Sequence, residues 1–209
     1  MGLTLWGNGQ SRAQSVHWML HELEVDYEKH LIGSRTGETQ TEEFLRLNPQ
    51  GKIPVLEDDG FVLKESAAIV TYLAEKFGAD KNLLPLGGSK ERAIYDQWCF
   101  FAMMELDAQS TYILHKHVNL AHIYGESPTA VEVAKQTFLK QVRMVDRALE
   151  DGRDWIMGEY FTGADILLVG TIKFAVEFRI ALPERVSAYA ERATSRKAYL
   201  NSVAASNPS

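Results

Sequence analysis

The first part of the chain alternates short apolar segments with amphipathic helical patterns. LTLW and YEKHLI are rich in apolar and β-favouring residues, which predicts two strands. Between them, from about Arg12, apolar residues recur at helical spacing and predict a first helix. These apolar positions are Val16, Met19, Leu20 and Leu23. TEEFLRL then predicts a short helix, which Asn48-Pro49 ends because the residue before a proline disfavours helical geometry.

Two further strands and a helix complete this part of the pattern. PVLE and FVLK are separated by DDG, and Asp59-Gly60 is a strong hairpin signal because both residues tolerate positive φ. The following helix ends at Gly78, a residue type suited to a helix C-terminus. Its apolar face consists of Ile69, Leu73 and Phe77. The pattern therefore predicts βαβ followed by ββα, with helices covering a four-stranded mixed sheet.

Beyond the turn-rich segment ADKNLLPLGGS, the pattern is helical throughout. One long helix, broken near YGESP, is predicted from Ile94, Trp98, Phe101, Ala108 and Tyr112. A second helix is predicted from Val133, Phe138, Val142, Val145 and Leu149. A third begins at Thr162, where TGAD is a capping-box variant with Asp165 at N3, and two shorter helices follow. We therefore predict an α/β domain over 1–79, a linker over 80–88 and an all-helical domain over 89–209.

Composition and charge exclude several classes of protein. The 209 residues are 45% hydrophobic and carry a net charge of −6, which is typical of a globular domain and disfavours a nucleic-acid or polybasic membrane surface. No apolar run is long enough for a membrane helix, and no signal-peptide pattern opens the chain, so we predict a cytoplasmic protein. The single Cys99 excludes an internal disulfide and is predicted to be a small buried hydrophobe.

Pro54 stands at the start of a predicted strand, where it cannot donate a ladder hydrogen bond. It belongs to a series of motifs that follow one another at characteristic spacing. They are Asn48-Pro49-Gln50-Gly51-Lys52-Ile53-Pro54-Val55-Leu56, Glu65-Ser66-Ala67-Ala68-Ile69, Tyr72-Leu73 and Phe161-Thr162-Gly163-Ala164-Asp165. On these residues the whole chain resembles the cytosolic glutathione transferases, in particular bacterial-type or theta/nu-like members that use serine or asparagine. The resemblance implies a thioredoxin-like N-terminal domain and an all-α C-terminal domain.

The resemblance also implies a glutathione site in the first domain. Pro54 would be cis, so that the backbone of Ile53 pairs with the cysteinyl part of glutathione as an added strand does. Glu65 and Ser66 would bind the ammonium and carboxylate of the γ-glutamyl end at a helix N-terminus. Lys52 would meet the glycyl carboxylate or the tripeptide backbone. The structural alternatives are that Glu65 and Ser66 only cap the helix, and that Lys52 is an exposed loop lysine.

Catalysis in such a protein requires glutathione as a thiolate, stabilised by a donor in the loop after the first strand. The loop GNGQSRAQS offers Asn8, Gln10, Ser11 and Ser15. The usual serine position falls nearest Gln10, and we select the adjacent Ser11 as donor, with Asn8 as the main rival. The alternative role for Ser11 is a helix cap. Because no cysteine lies in this loop, branches of the family that use their own thiol are disfavoured.

The predicted function is that of a glutathione transferase in detoxification, which adds the thiolate to a small hydrophobic electrophile. By resemblance, the electrophile would bind between the domains, with Phe101, Met104, Tyr112 and His115 as candidate contacts, and the protein would be a homodimer. Two alternatives remain open: a glutathione-dependent disulfide reductase or peroxidase, and a non-catalytic glutathione-binding regulator. We predict no metal site, because His17 and His21 lack a third ligand at zincin spacing.

Overall fold

Four short strands form the predicted mixed sheet. In the computed structural model, which describes residues 2–207, the strands are β1 (Leu3–Trp6), β2 (Glu28–His30), β3 (Val55–Asp58) and β4 (Phe61–Lys64), in the order β2-β1-β3-β4. β1 pairs in parallel with β2 and antiparallel with β3, and β4 pairs antiparallel with β3. The hairpin turn is the predicted one, with Asp59 at φ 50° and Gly60 at φ 87°.

Helices α1 (Ala13–Leu23), α2 (Glu42–Leu47) and α3 (Ser66–Phe77) accompany this sheet, with a short 3₁₀ helix at Glu38–Gln40. The interior is apolar and fully buried, and it includes Leu5, Val16, Met19, Val55, Leu56, Ile69 and Leu73. Burying each large aliphatic side chain contributes about 1.5–3 kcal/mol to folding. The predicted inner faces of α1 and α3 are therefore confirmed at these positions.

The last helix of the chain packs against the first. The described structure divides into one unit of Met1–Leu84 with Ser195–Ser209 and a second unit of Pro85–Thr194. Within the first unit, α10 (Lys197–Ser206) lies along α1, where the rings of Trp18 and Tyr199 meet edge to face at 4.7 Å. The sequence predicts that this helix belongs to the all-helical domain over 89–209, whereas its contacts group it with the sheet. No apolar pattern of α10 indicates which unit it joins, and the domain boundaries as independent folding units remain a prediction.

The second unit is helical. Its α-helices are α4 (Lys90–Phe101), α5 (Tyr112–Leu114), α6 (Ala121–Tyr124), α7 (Pro128–Ala148), α8 (Gly163–Glu177) and α9 (Glu184–Thr194). The segments Ala102–Thr111 and His115–Asn119 are π-helical. Within residues 2–207, no helix combines the length and the apolar character that crossing a membrane requires.

Two of the residues that predict the long helix are not buried. Ile94 in α4 and Ala108 in the π-helical segment are exposed. The buried side chains are instead Tyr95, Cys99, Ala102, Leu106 and Leu114. Because a π-helix bonds residue i to i+5, it shifts the register of a 3.6-residue pattern. Val133 in α7 is also exposed, whereas the other four predicted positions in that region are buried.

Asp165 anchors the start of α8 as the capping-box prediction requires. Its carboxylate is fully buried and accepts the N–H and hydroxyl of Thr162 at 2.8 and 2.9 Å. The same group accepts the Ile156 N–H at 2.8 Å and the Tyr189 hydroxyl at 2.8 Å. Burial raises the pKa of Asp165, and the four hydrogen bonds oppose that shift by favouring the carboxylate. Asp165 therefore connects three separate segments of the second unit.

Candidate active site

The backbone bends immediately before β3. The Ile53–Pro54 peptide bond is cis, as the resemblance implied. The antiparallel ladder with β1 begins only at Val55, which pairs with Trp6. Ile53 therefore lies before the ladder, and its side chain is half-buried. The arrangement suits an extended peptide that pairs with the Ile53 backbone.

The buried Asn48 side chain supports this bend. Its Nδ2 donates to the Lys52 carbonyl at 2.7 Å, and its Oδ1 accepts the Gln50 N–H at 3.2 Å. Asn48 is 2% exposed, so these bonds form in a largely dehydrated site. The structural role predicted for Asn48 is confirmed, and the side chain orients the peptide unit just before Ile53. The Lys52 side chain is exposed.

The start of α3 has an unusual backbone conformation. Glu65 has φ 68° and ψ 116°, and positive φ at a residue other than glycine costs on the order of 1–3 kcal/mol. Within the described residues, the exposed Glu65 side chain makes no capping hydrogen bond to α3. Ser66 is the first residue of the helix and is 5% exposed. Side-chain capping therefore does not explain Glu65, and its exposed carboxylate lies beside the N-terminus of α3.

The sheet register brings three segments to one edge. Val55 pairs with Trp6 on one side and with Lys64 on the other. The loop after β1, the bend before β3 and the start of α3 are thus neighbours. Gly7 confirms the close approach, because a Cβ at Gly7 would lie 3.1 Å from the Cβ of Ile53. Of the residues predicted for the glutathione site, Ile53, Pro54, Glu65 and Ser66 lie within two residues of this edge, Lys52 lies three residues from Val55, and Asn8 and Ser11 lie in the loop after β1.

Ser11 lies in the loop that joins β1 to α1. Its Oγ donates to the Asn8 carbonyl at 2.8 Å and accepts the Ala13 N–H at 3.1 Å. Ser11 therefore satisfies the amide of Ala13, the first residue of α1, although the N-cap position itself is Arg12. The same hydroxyl is partly exposed and can rotate its proton towards another acceptor. Both roles are compatible, because the cap uses the oxygen as acceptor and a thiolate would use the proton.

Asn8 is less accessible than Ser11. It is 8% exposed, its N–H donates to the Ile32 carbonyl at 3.0 Å, and its Oδ1 accepts the Gln10 N–H at 3.2 Å. The end of this side chain that can donate lies near Gly33. Gln10, which stands nearest the usual serine position, is exposed.

His17 in α1 contacts the start of the same loop at Gly7. Its Nε2 lies 2.9 Å from the Gly7 carbonyl, and its Nδ1 lies 2.7 Å from the Tyr27 hydroxyl. A carbonyl can only accept, so Nε2 carries the proton and Nδ1 accepts from Tyr27. Both ring nitrogens are occupied, so His17 is not placed to share a metal with His21. Burial of the ring, with a smaller effect of His21, lowers the pKa of His17 to about 4, although the bond to Gly7 opposes the shift.

The buried neutral His17 predicts acid sensitivity. The unfolded chain takes up a proton at this histidine below its ordinary pKa of about 6.5, whereas the folded chain resists until about 4. The unfolded state therefore binds more protons in this window, and stability falls as the pH drops. We expect His17 to contribute a loss of about 2 kcal/mol between pH 7.5 and 5.

Urea unfolding at both pH values measures this loss. The variant His17→Gln should lose about 2 kcal/mol less than the wild type over the same interval. His122→Gln, which changes an exposed histidine, serves as the control and should follow the wild type. Equal pH dependence in the wild type and His17→Gln would contradict the buried neutral state.

The other candidates lie in the second unit. Met104 is 55% exposed, and Phe101, Tyr112 and His115 are half-buried. The His115 ring packs against Phe174 in a tilted arrangement at a centroid distance of 5.3 Å. Phe101 and Tyr112 flank the π-helical segment that contains Met104, so their spacing differs from that of a regular helix.

Two further features bear on chemistry. Cys99 is 6% exposed, and burial raises the pKa of its thiol to about 12, which confirms a buried hydrophobe and disfavours a nucleophile. Among residues 2–207, no three histidine, cysteine or acidic side chains are grouped so that they could hold a metal ion.

A four-stranded mixed sheet with a cis-proline before its third strand defines a thioredoxin-like domain, and a helical domain follows it along the chain. The family described as "Glutathione S-transferase, N-terminal domain" matches residues 1–75, and "Glutathione S-transferase, C-terminal domain" matches residues 101–206. The chain belongs to the glutathione S-transferase family.

Three relatives illustrate the similarity. Glutathione S-transferase hmp2 of Hypomyces subiculosus is 32% identical over 176 residues, covering 81% of this chain and 78% of that protein. The theta class glutathione S-transferase of Xanthomonas axonopodis pv. citri, with glutathione bound, is 28% identical with a TM-score of 0.84, covering 97% and 98% of the two chains. The glutathione transferase URE2P8 of Phanerochaete chrysosporium, with oxidized glutathione, is 26% identical with a TM-score of 0.84, covering 96% and 93%.

Proposed function

We propose that this protein binds glutathione at the sheet edge formed by Trp6, Val55 and Lys64. It ionises the glutathione thiol and adds the resulting thiolate to a hydrophobic electrophile. The observation that carries the proposal is the register of the sheet, which gathers a bent backbone, a helix N-terminus and a hydroxyl-bearing loop at one edge. These are the three elements that a small peptide thiol requires: backbone pairing, charge recognition and a donor for the sulfur.

Binding would use backbone and charge together. The Ile53 peptide unit pairs with the cysteinyl residue, and Asn48 holds that unit through the Lys52 carbonyl. The exposed carboxylate of Glu65 binds the γ-glutamyl ammonium, and the first turn of α3 with Ser66 binds the α-carboxylate. Lys52 is exposed beside this site and attracts the glycyl carboxylate.

Ser11 is our choice for the thiolate donor. To reach the sulfur, its hydroxyl must leave the Asn8 carbonyl, which costs about 0.5–1.5 kcal/mol for a neutral hydrogen bond. A hydrogen bond to a charged acceptor contributes about 1.5–3 kcal/mol. The exchange is therefore favourable for the thiolate and unfavourable for the neutral thiol, and this difference lowers the thiol pKa.

A second candidate function uses the thiolate on disulfides or peroxides. Asn8 in the same loop favours it, and the similar URE2P8 structure contains oxidized glutathione. A non-catalytic regulator would retain glutathione without lowering the thiol pKa. Relative rates with an aryl halide and with a mixed disulfide distinguish the two enzymes. A transferase converts the aryl halide into a glutathione thioether, whereas a reductase exchanges the glutathione thiolate with the mixed disulfide.

The assembly and location are also proposals. We infer a cytoplasmic homodimer, as the resemblance implies. Phe61, at the tip of the β3–β4 hairpin, is 51% exposed despite its aromatic ring. An exposed aromatic residue of this kind is typical of surfaces that a protein partner covers. Sedimentation of the wild type and of Phe61→Ser measures whether the chain dimerises through this hairpin.

The test of the proposed function has two readouts. In calorimetry, glutathione should bind the wild type, and Glu65→Gln should weaken binding about tenfold or more through loss of a charge-assisted bond. Glu75→Gln makes the same charge change elsewhere on α3 and should bind as the wild type does.

The thiolate absorbance of bound glutathione, titrated between pH 5 and 9, is the second readout. We expect a midpoint near 7, compared with about 8.5 for an unperturbed thiol. Binding with an unshifted midpoint would support the regulator. The absence of binding would overturn the proposed function as a whole.

A further inference from the structure

The end of the last helix contacts the loop that holds Ser11. Gly9 lies in the middle of that loop, and its N–H donates to the carbonyl of Ser206 at 2.9 Å. Ser206 is the final residue of α10 and is fully buried. A side chain at Gly9 would overlap the Ser206 hydroxyl, so only glycine permits this approach. The loop is thus held at its centre by a residue almost two hundred positions away.

Gln14 connects the same helix end to the start of α1. Its Oε1 accepts the Ser206 hydroxyl at 2.8 Å, and its Nε2 donates to the Ser202 hydroxyl at 2.9 Å. Ser202 is fully buried, and its own hydroxyl donates to the Tyr199 carbonyl at 2.7 Å. One amide side chain therefore fixes two successive inward-facing residues of α10. The two serines are fully buried and Gln14 is half-buried, so these hydrogen bonds are only partly exposed to water.

The contact is continuous from α10 to the candidate donor. Gln14 holds Ser206, and the Ser206 carbonyl holds Gly9. Gly9 is flanked by Asn8, whose carbonyl accepts the Ser11 hydroxyl. The backbone N–H of Gln14 also donates to the Ser11 carbonyl at 3.0 Å. Gln14 therefore contacts both Ser206 and Ser11, the first and last residues of this series of contacts.

We propose that Gln14 is a positioning residue for catalysis, which sets the loop geometry through Ser206 and Gly9 so that Ser11 can address the glutathione sulfur. This inference rests on the proposed function and names a residue outside the glutathione site. Positional errors of about 1 Å at a catalytic group can cost two orders of magnitude in rate.

A merely structural role for Gln14 would be to attach α10 to α1. The opposite end of α10 has its own attachment, where Arg196 makes two bonds of 2.7 Å to the carboxylate of Glu22. That ion pair has no bond to the loop among the contacts described above. The two ends of one helix therefore offer a comparison between attachment near the loop and attachment far from it.

The experiment measures the pKa of glutathione bound to purified full-length variants. Gln14→Met keeps the length of the side chain but removes both hydrogen bonds, and we expect it to raise the thiol pKa by about one unit. At saturating glutathione, the midpoint of the pH profile of kcat/KM for the electrophile should move by the same amount. The dissociation constant of glutathione should change little. Ser206→Ala removes one of the two bonds and should raise the pKa by a smaller amount. The double variant should be no worse than Gln14→Met, because the two residues act in one path.

Arg196→Gln is the matched control. It weakens the attachment of α10 and should lower the melting temperature, while the thiol pKa stays at the wild-type value. If Gln14→Met and Ser206→Ala leave a lowered wild-type pKa unchanged, the positioning role is overturned and the proposed function survives. If Arg196→Gln raises the thiol pKa as much as Gln14→Met does, the rise comes from loosening α10 as a whole. The positioning role of Gln14 is then also overturned. An unperturbed thiol in the wild type would overturn both proposals.

Discussion

Replacing Asp165 by alanine should lower the free energy of unfolding by about 3–5 kcal/mol, because buried donors lose their acceptor. The N–H groups of Ile156 and Thr162 and the hydroxyl of Tyr189 all donate to this carboxylate. Each buried donor left without a partner costs about 1–3 kcal/mol. Such a loss is a large share of the 5–15 kcal/mol that stabilises a typical domain.

Urea unfolding followed by fluorescence measures the effect of Asp165→Ala. Trp155 meets the ring of Phe161 edge to face at 4.9 Å beside this site, so its emission reports the local structure. Asp151→Ala is the control, because it removes an exposed carboxylate that accepts hydrogen bonds from the side chain of Arg153 at 2.6 Å and from its backbone N–H at 3.1 Å. We expect a far smaller change for the control. If the two alanine variants unfolded at similar urea concentrations, Asp165 would not be the anchor that its four hydrogen bonds indicate.

The sequence predicted those features that depend on neighbouring residues. Asp59-Gly60 determined the hairpin because both residues adopt positive φ. Thr162 and Asp165 predicted a helix start, and the structure confirms the reciprocal cap. The bend at Pro54 was implied by the family motif, since proline alone is also compatible with a trans bond at a strand end.

The features that the sequence did not predict depend on distant contacts or on rare geometry. The bond between Gln14 and Ser206 joins residues 192 positions apart, and small polar residues in a terminal helix carry no signal for such a partner. The π-helical segment at Ala102–Thr111 has no recognised pattern in a single sequence, so the apolar spacing there predicted a regular helix. Glu65 adopts positive φ although its residue type gives no reason to expect it.

For the site, the sequence named the residues but not how they are already bonded. The sequence predicts Ser11 either as a thiolate donor or as a helix cap. In the structure, the Ser11 oxygen accepts the Ala13 N–H, and its hydroxyl donates to the Asn8 carbonyl. The remaining question is whether the Ser11 hydroxyl or the Asn8 side-chain amide donates to the glutathione thiolate. Titration of the bound thiol in variants of each residue answers it.

Ser11→Ala should raise the pKa of bound glutathione by about 1 to 1.5 units, the equivalent of losing a charge-assisted bond of about 1.5–3 kcal/mol less the roughly 0.5–1.5 kcal/mol that the hydroxyl gives up at the Asn8 carbonyl. Ser11→Thr keeps a hydroxyl and should restore most of the shift. Because the Ser11 oxygen also accepts the Ala13 N–H, alanine will cost some stability as a lost cap. The affinity for glutathione, measured in parallel, shows whether the variant remains folded at the site.

The thiol titration discriminates better than the reaction rate. A thiolate of higher pKa is a better nucleophile, with a Brønsted coefficient of about 0.4–0.5 for thiol exchange. A rise of about 1.5 units lowers the thiolate fraction at pH 7 roughly fifteenfold but raises its reactivity about fivefold. The rate at one pH would therefore fall only about threefold, although the thiol pKa had moved fully. If Asn8→Ala produces the upward shift and Ser11→Ala does not, the donor is the asparagine, and disulfide or peroxide chemistry becomes the preferred function.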